Sequence, residues 1–74
     1  MPHVNIKHFP KQLTDAQSAE LVAGITAAVT KAFGCAEGVV SIAVEPVAQE
    51  QWQDRVYGPE IVERKELLHK TPTY

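Results

Sequence analysis

Among the residues of this chain, Pro2 has the least ordinary chemistry open to it. Proline directly after an initiator methionine is a small-residue context in which Met1 is commonly excised, and excision leaves a secondary amine at the chain terminus. An α-amino group titrates near ~7.7–8.0, and an apolar pocket or a neighbouring cation moves it towards neutrality by disfavouring the charged form. A base tuned in this way is what removal of a proton next to a carbonyl requires. While Met1 remains attached, the same nitrogen belongs to a tertiary amide and has no usable basicity. A Met-Pro start is common, so it identifies such a base only when the rest of the chain agrees.

Other chemistry is thinly represented. There is no GxSxG, P-loop or GxGxxG motif, and no His pair at metal-ligand spacing. His3, His8 and His69 have no evident carboxylate to orient them and read as exposed or partly packed side chains. The single cysteine, Cys35, cannot form an internal disulfide and reads as a small packed residue after a helix. No metal or organic cofactor is implied. A net charge of −2 with scattered lysines and arginines offers no basic stripe for a phosphate backbone, so nucleic acid is not expected as a partner. No apolar run approaches the roughly 18 residues needed to span a bilayer, and MPHVNIKHFP lacks the basic-then-apolar order of a signal peptide. A soluble, cytoplasmic chain without membrane partners is the expectation.

The elements that must position Pro2 begin immediately after it. Val4 and Ile6 alternate with Asn5 and Lys7, which predicts a strand over His3–Phe9 with one face buried, stopped by Pro10. Thr14-Asp15-Ala16-Gln17 fits a capping box, with Thr14 accepting from the first turn and Gln17 reaching back. Leu21, Val22, Ile25, Ala28, Val29, Ala32 and Phe33 follow at helical intervals, giving an amphipathic helix of about five turns that Gly34 is suited to close. The β-branched segment Val39–Pro46 predicts a second strand. Gln49–Gly58 reads as a loop or short helical turn. Pro59 at a first helical position then opens a short C-terminal helix through Ile61, Val62, Leu67 and Leu68, and Thr71–Tyr74 reads as a frayed tail.

Strand, long helix, strand is a βαβ unit in a single α/β (α+β) domain of residues 1–74, with the two strands parallel and the crossover right-handed. A core of this size buries too little apolar surface to be comfortably stable alone. A two-stranded sheet covered on one side also leaves a face and edges without partners. Two copies joined would make a four-stranded sheet, so a homodimer is the smallest expected folded unit.

This whole frame resembles the 4-oxalocrotonate tautomerase family, short βαβ chains with a catalytic N-terminal proline. The likeness is greatest to the dimeric subgroup of small bacterial, phenylpyruvate-type tautomerases. It is carried by Pro2-His3-Val4-Asn5-Ile6-Lys7-His8-Phe9-Pro10 (the pattern PHxxIKxFP), by Ser41-Ile42-Ala43 in the second strand, by Trp52, and by Lys70-Thr71-Pro72-Thr73-Tyr74. No one of these segments is decisive, but their order and spacing span essentially the entire chain.

The resemblance implies a cofactor-independent isomerase whose Pro2 takes a proton from one atom of a small enol or α-keto acid and returns it to another. It also implies four substrate-binding positions. Lys11 stands near an arginine that holds a substrate carboxylate in the hexameric members, and attracts an anion without bidentate grip. Ser41 stands where those members carry a second arginine that reaches across the subunit interface, and supplies one hydrogen-bond donor but no charge. Trp52 corresponds to an aromatic wall that keeps the proline environment apolar. Arg55, in the neighbouring loop, is a candidate for the missing charge. The alternative reading is a dimeric module that captures a small carboxylate or a peptide without turnover.

Overall fold

The computed structural model describes residues 1–74. Its order is strand β1 (His3–His8), helix α1 (Asp15–Phe33), strand β2 (Ser41–Pro46) and a helical C-terminal segment. β1 and β2 pair in parallel, with His3 opposite Ser41, Asn5 opposite Ala43 and Lys7 opposite Glu45. The chain is therefore the expected βαβ unit. No helix is long and apolar enough to cross a membrane.

Local chemistry fixes the ends of α1. The Thr14 hydroxyl accepts from the Gln17 amide at 3.1 Å, and the Gln17 side chain accepts from the Thr14 amide at 3.0 Å, so the capping box satisfies two otherwise orphaned donors. At the other end Gly34 has φ of 64°, and its amide donates to the Thr30 carbonyl at 2.9 Å. That left-handed geometry is open to glycine and costly for most other residues.

The register divides the sheet into two unlike faces. Val4 and Ile6, with Ile42 and Val44, lie on the side crossed by α1, where Val4 shares a hollow with Val29 and Phe33, and Ile6 and Val44 share another with Leu21. His3, Asn5, Lys7, Ser41 and Glu45 lie on the other side, which the C-terminal segment approaches through ion pairs of Lys7 with Glu60 and of Arg55 with Glu45.

Little of the apolar stripe is enclosed. No residue of α1 is buried, and Phe33 is 72% exposed. The buried residues are Val47 (0% exposed) and Val56 (6%), both beyond β2. The Cα radius of gyration is 13.9 Å, against about 11 Å expected for a compact chain of this length. A single copy thus leaves most of its hydrophobic surface available.

Three expectations need correction. Val39 belongs to a 3-10 turn, Glu37–Val39, and β2 begins only at Ser41. The C-terminal helix does not start at Pro59: after a 3-10 turn at Gln49–Gln51 it runs from Gln53 to Val62 as a π-helix, with Pro59 inside it. In an α-helix the Pro59 ring would meet the carbonyl four residues back. Pairing shifted to i→i+5, as in the bond from the Glu63 amide to the Gly58 carbonyl at 3.0 Å, widens the turn and lets the chain continue. Gly58 assists, because a Cβ there would lie 3.2 Å from the Gln53 carbonyl oxygen. Finally, Tyr74 is not frayed: its hydroxyl accepts from the Trp52 indole N–H at 3.3 Å, and its ring lies 5.8 Å from that of Tyr57.

Candidate active site

Pro2 is half-buried just before β1, and its carbonyl accepts a hydrogen bond from the Ser41 amide at 3.2 Å. This bond continues the parallel ladder by one step and fastens the start of the chain to the start of β2. Pro2 lines a hollow of ≈ 450 Å³ together with Met1, His3, Val4, Val29, Phe33 and Cys35. The walls are chiefly apolar, and Met1 itself projects outwards at 99% exposure. An amine in such surroundings loses part of the hydration that favours its charged form.

At the same end His3, which also lines this hollow, has its Nδ1 2.6 Å from Ser41 Oγ. The contact follows from register, since His3 and Ser41 are Cα partners and their side chains leave the sheet together. The partner here is a hydroxyl and not a carboxylate, so residue types alone do not single out His3. The available signal was the pairing of the first residues of two parallel strands, which puts an imidazole beside a hydroxyl.

The other sequence-selected residues lie elsewhere. Lys11 lines a separate hollow of ≈ 260 Å³ with Ile6, His8, Phe9, Leu13, Leu21 and Val44, beyond the far end of β1. Trp52 packs edge-on against Phe9 with ring centroids 5.0 Å apart. Five strand steps of about 3.3 Å put roughly 17 Å between the two ends of β1. One chain therefore brings Pro2 and Ser41 together and keeps Lys11 and Trp52 apart from them. Arg55 has its own partners: Nη2 donates to Glu45 Oε2 at 2.8 Å, and Nη1 to Gln51 Oε1 at 3.3 Å. Glu45 also accepts from Asn5 at 3.3 Å, while Glu60 pairs with both Lys7 and, at 3.5 Å, Arg64.

The largest hollow, ≈ 620 Å³, lies along α1 among residues such as Ala19, Ala23 and Ala27, with Glu37 its one charged side chain. It shares no lining residue with the Pro2 hollow. No cluster of three His, Cys, Asp or Glu side chains is arranged to hold a metal ion.

Residues 2–67 match a family model described as Tautomerase enzyme. Among curated relatives, the chain is 39% identical to Tautomerase PptA of Enterobacter sp. (strain 638), 36% to that of Cronobacter sakazakii and 34% to that of Pectobacterium atrosepticum. Each alignment covers 100% of this chain and 97% of the relative.

Proposed function

This chain belongs to the tautomerase family and is an isomerase, and from that premise we propose that it moves a proton between the enol and keto forms of a small α-keto acid, with the Pro2 amine as the base. The observation that carries this reading is the position of Pro2, half-buried at the mouth of an apolar-walled hollow and tied by its carbonyl to Ser41.

The chemistry requires removal of Met1, after which the Pro2 nitrogen is a secondary amine. The neutral amine takes the enol hydroxyl proton, or a proton from the carbon next to the carbonyl, and the resulting ammonium returns a proton to the other atom. Because the same nitrogen ends each cycle neutral, no cofactor is consumed. Ser41 donates to a substrate oxygen as charge shifts onto it, a contribution that grows in the transition state.

Lys11, Trp52 and Arg55 can join this site only if they come from another copy, since about 17 Å of strand separates the two ends within one chain. The homodimer proposed here unites the Pro2 end of one sheet with the Trp52 end of the next. It also covers apolar surface on α1, where Phe33 and Val22 stand open in the single chain. Sedimentation equilibrium at micromolar concentration should give a dimer; a predominant monomer would leave Pro2 without a carboxylate-binding cation.

Intact mass combined with a ketonisation assay tests the reaction. Protein lacking Met1 should interconvert phenylenolpyruvate and phenylpyruvate, and protein made to retain Met1 should not. Quantitative retention of Met1 in the native protein, with tight binding of the same acid, would favour a carboxylate-binding module over an enzyme that uses Pro2.

A further inference from the structure

We propose that His3 is a positioning residue for this reaction, holding the Ser41 hydroxyl so that its proton is turned towards a substrate oxygen, and lending positive charge to that contact when the imidazole is protonated. The inference rests on the reading of the Pro2 end as the site of proton transfer. It adds a residue to that site and gives substrate binding a pH dependence separate from that of the base.

The geometry constrains Ser41 twice. Its amide donates to the Pro2 carbonyl at 3.2 Å, and its hydroxyl lies 2.6 Å from His3 Nδ1. A serine hydroxyl has one proton to give. If Nδ1 is the unprotonated nitrogen, that proton goes to His3, and Ser41 faces a substrate with lone pairs only, which repel a carboxylate or an enolate oxygen. If Nδ1 carries hydrogen, it donates to Oγ, and the serine proton is free to be donated outwards. A doubly protonated imidazole permits only the second arrangement, and the bond from Nδ1 becomes charge-assisted. Where Ser41 by itself supplies no charge, the His3–Ser41 pair supplies one on demand.

The surroundings leave this charge largely uncompensated. On the His3 face, Asn5 and Arg55 are both engaged by Glu45, and Lys7 is engaged by Glu60. Ala43 stands between Ser41 and Glu45 along β2. No carboxylate bonds to His3. The remaining titratable groups at this end are the Cys35 thiol, which lines the hollow shared with His3, the chain-terminal amine, and Glu37 in the turn before β2, whose side chain makes no hydrogen bond or ion pair with His3. α1 presents only Val29 and Phe33 to that hollow.

The direction follows from the two protonation states. A protonated His3 holds an anionic ligand more tightly than a neutral one, so KM and Kd fall as pH falls. The Pro2 base behaves in the opposite sense, because its protonation removes the catalyst and lowers kcat. The two effects are therefore separable by parameter.

The test measures Kd for 3-phenylpropionate, a monocarboxylate that cannot be turned over, together with KM and kcat for phenylenolpyruvate, between pH 5.5 and 8. The proteins are the wild type, His3→Asn, His3→Ala, Ser41→Ala, the His3→Ala/Ser41→Ala double variant, and Pro2→Ala. His3→Asn keeps an amide near the Nδ1 position but does not titrate. We expect Kd and KM of the wild type to fall about five-fold towards pH 5.5, the scale of one hydrogen bond that gains charge. In His3→Asn that dependence should flatten, while the acid limb of kcat, which belongs to Pro2, stays in place. His3→Ala and Ser41→Ala should each weaken binding at pH 6, and the double variant should be no weaker than the worse single. A wild-type pH dependence in His3→Asn, or single effects that multiply in the double variant, overturns the proposal. Pro2→Ala separates the two readings: wild-type turnover there would overturn the proline mechanism, whereas the part of its Kd profile that is lost when His3→Asn is added reports on His3.

Discussion

The two ends of the sheet differ in what holds them. At the end where the chain begins, Pro2, His3 and Ser41 are joined by two hydrogen bonds, and no residue is fully enclosed. At the other end the Val47 amide donates to the His8 carbonyl at 2.8 Å, Val47 and Val56 are buried, and Phe9 packs edge-on against Trp52, whose indole N–H donates to the Tyr74 hydroxyl. The first end is open and poor in packing, and the second combines buried packing with ion pairs of Lys7 with Glu60 and of Arg55 with Glu45. Reactive groups need access, and access removes the burial that would stabilise them. A chain this small resolves the conflict by segregation, with the packed end anchoring the strands whose open end carries the proposed site.

The largest expected effect breaks the open end alone. Pro2→Ala, with Met1 absent, should lower kcat/KM by about 10²-fold, roughly 2.7 kcal/mol of transition-state stabilisation, the usual scale for a lost general base. Its thermal midpoint should stay close to that of the wild type, because the carbonyl bond to Ser41 survives the substitution. Steady-state kinetics and a melting curve on the same preparation check both halves. A large loss of stability with retained turnover would mean that the open end is structural and that the segregation is false.

The converse change strikes the packed end. Val47→Ala removes the equivalent of two methylenes from a fully enclosed side chain, at about 0.8 kcal/mol each plus a cavity term, so about 2 kcal/mol of stability should be lost. Urea titration at one fixed protein concentration measures it, since association would otherwise shift the midpoint. Below the unfolding transition kcat should change less than two-fold. A ten-fold fall in kcat would show that strain at Val47 reaches Pro2 along β1 or β2.

The same division governs what the sequence discloses. Local codes read well: alternation from Val4 to Lys7, the Thr14–Gln17 capping box and Gly34 each rest on interactions within a few residues, and each was legible. Val39 did not, because β-branching marks residues suited to strands but not where pairing starts, and the Pro2–Ser41 bond begins the ladder only after it. Pro59 misled because the rule for proline at a helix start presumes i→i+4 pairing, and this helix uses i→i+5. Tyr74 was unreadable for a third reason: its partners, Trp52 and Tyr57, lie far back along the chain. At the proposed site, Pro2 and Ser41 stand out as residue types, whereas the His3–Ser41 pair needs the register.

A third prediction concerns selectivity at the open end. Ser41 contributes a hydroxyl where a diacid would need a second cation, and a carboxylate desolvated without an opposite charge is costly. The wild type should therefore turn over phenylenolpyruvate-like monoacids with higher kcat/KM than dicarboxylic dienols. Ser41→Arg should shift that ratio towards the diacid by about ten-fold, roughly 1.4 kcal/mol. Loss of the His3 contact affects both substrates through their common carboxylate, so the ratio isolates the added charge. Preference of the wild type for the diacid would mean that a cation already fills the vacancy.

Arg55 is the candidate cation for that vacancy, and the smallest expected effect decides how it is used. Its guanidinium is held by Glu45 at 2.8 Å, but the two side chains are 46% and 39% exposed, so water and salt screen their attraction. Such pairs contribute about 0–1 kcal/mol. Glu45→Gln, Arg55→Gln and the double variant should therefore show a coupling below about 1 kcal/mol in urea titrations, smaller still at high salt. If Arg55 also serves the substrate of a neighbouring copy, Arg55→Gln should raise KM several-fold, and Glu45→Gln, by releasing the guanidinium, should lower it. A coupling well above 1 kcal/mol with unchanged KM would instead make the pair a strut between β2 and the C-terminal helix. The boundary between packing and chemistry would then lie nearer to Pro2, and Lys11 would remain the only sequence-selected cation able to meet a carboxylate there.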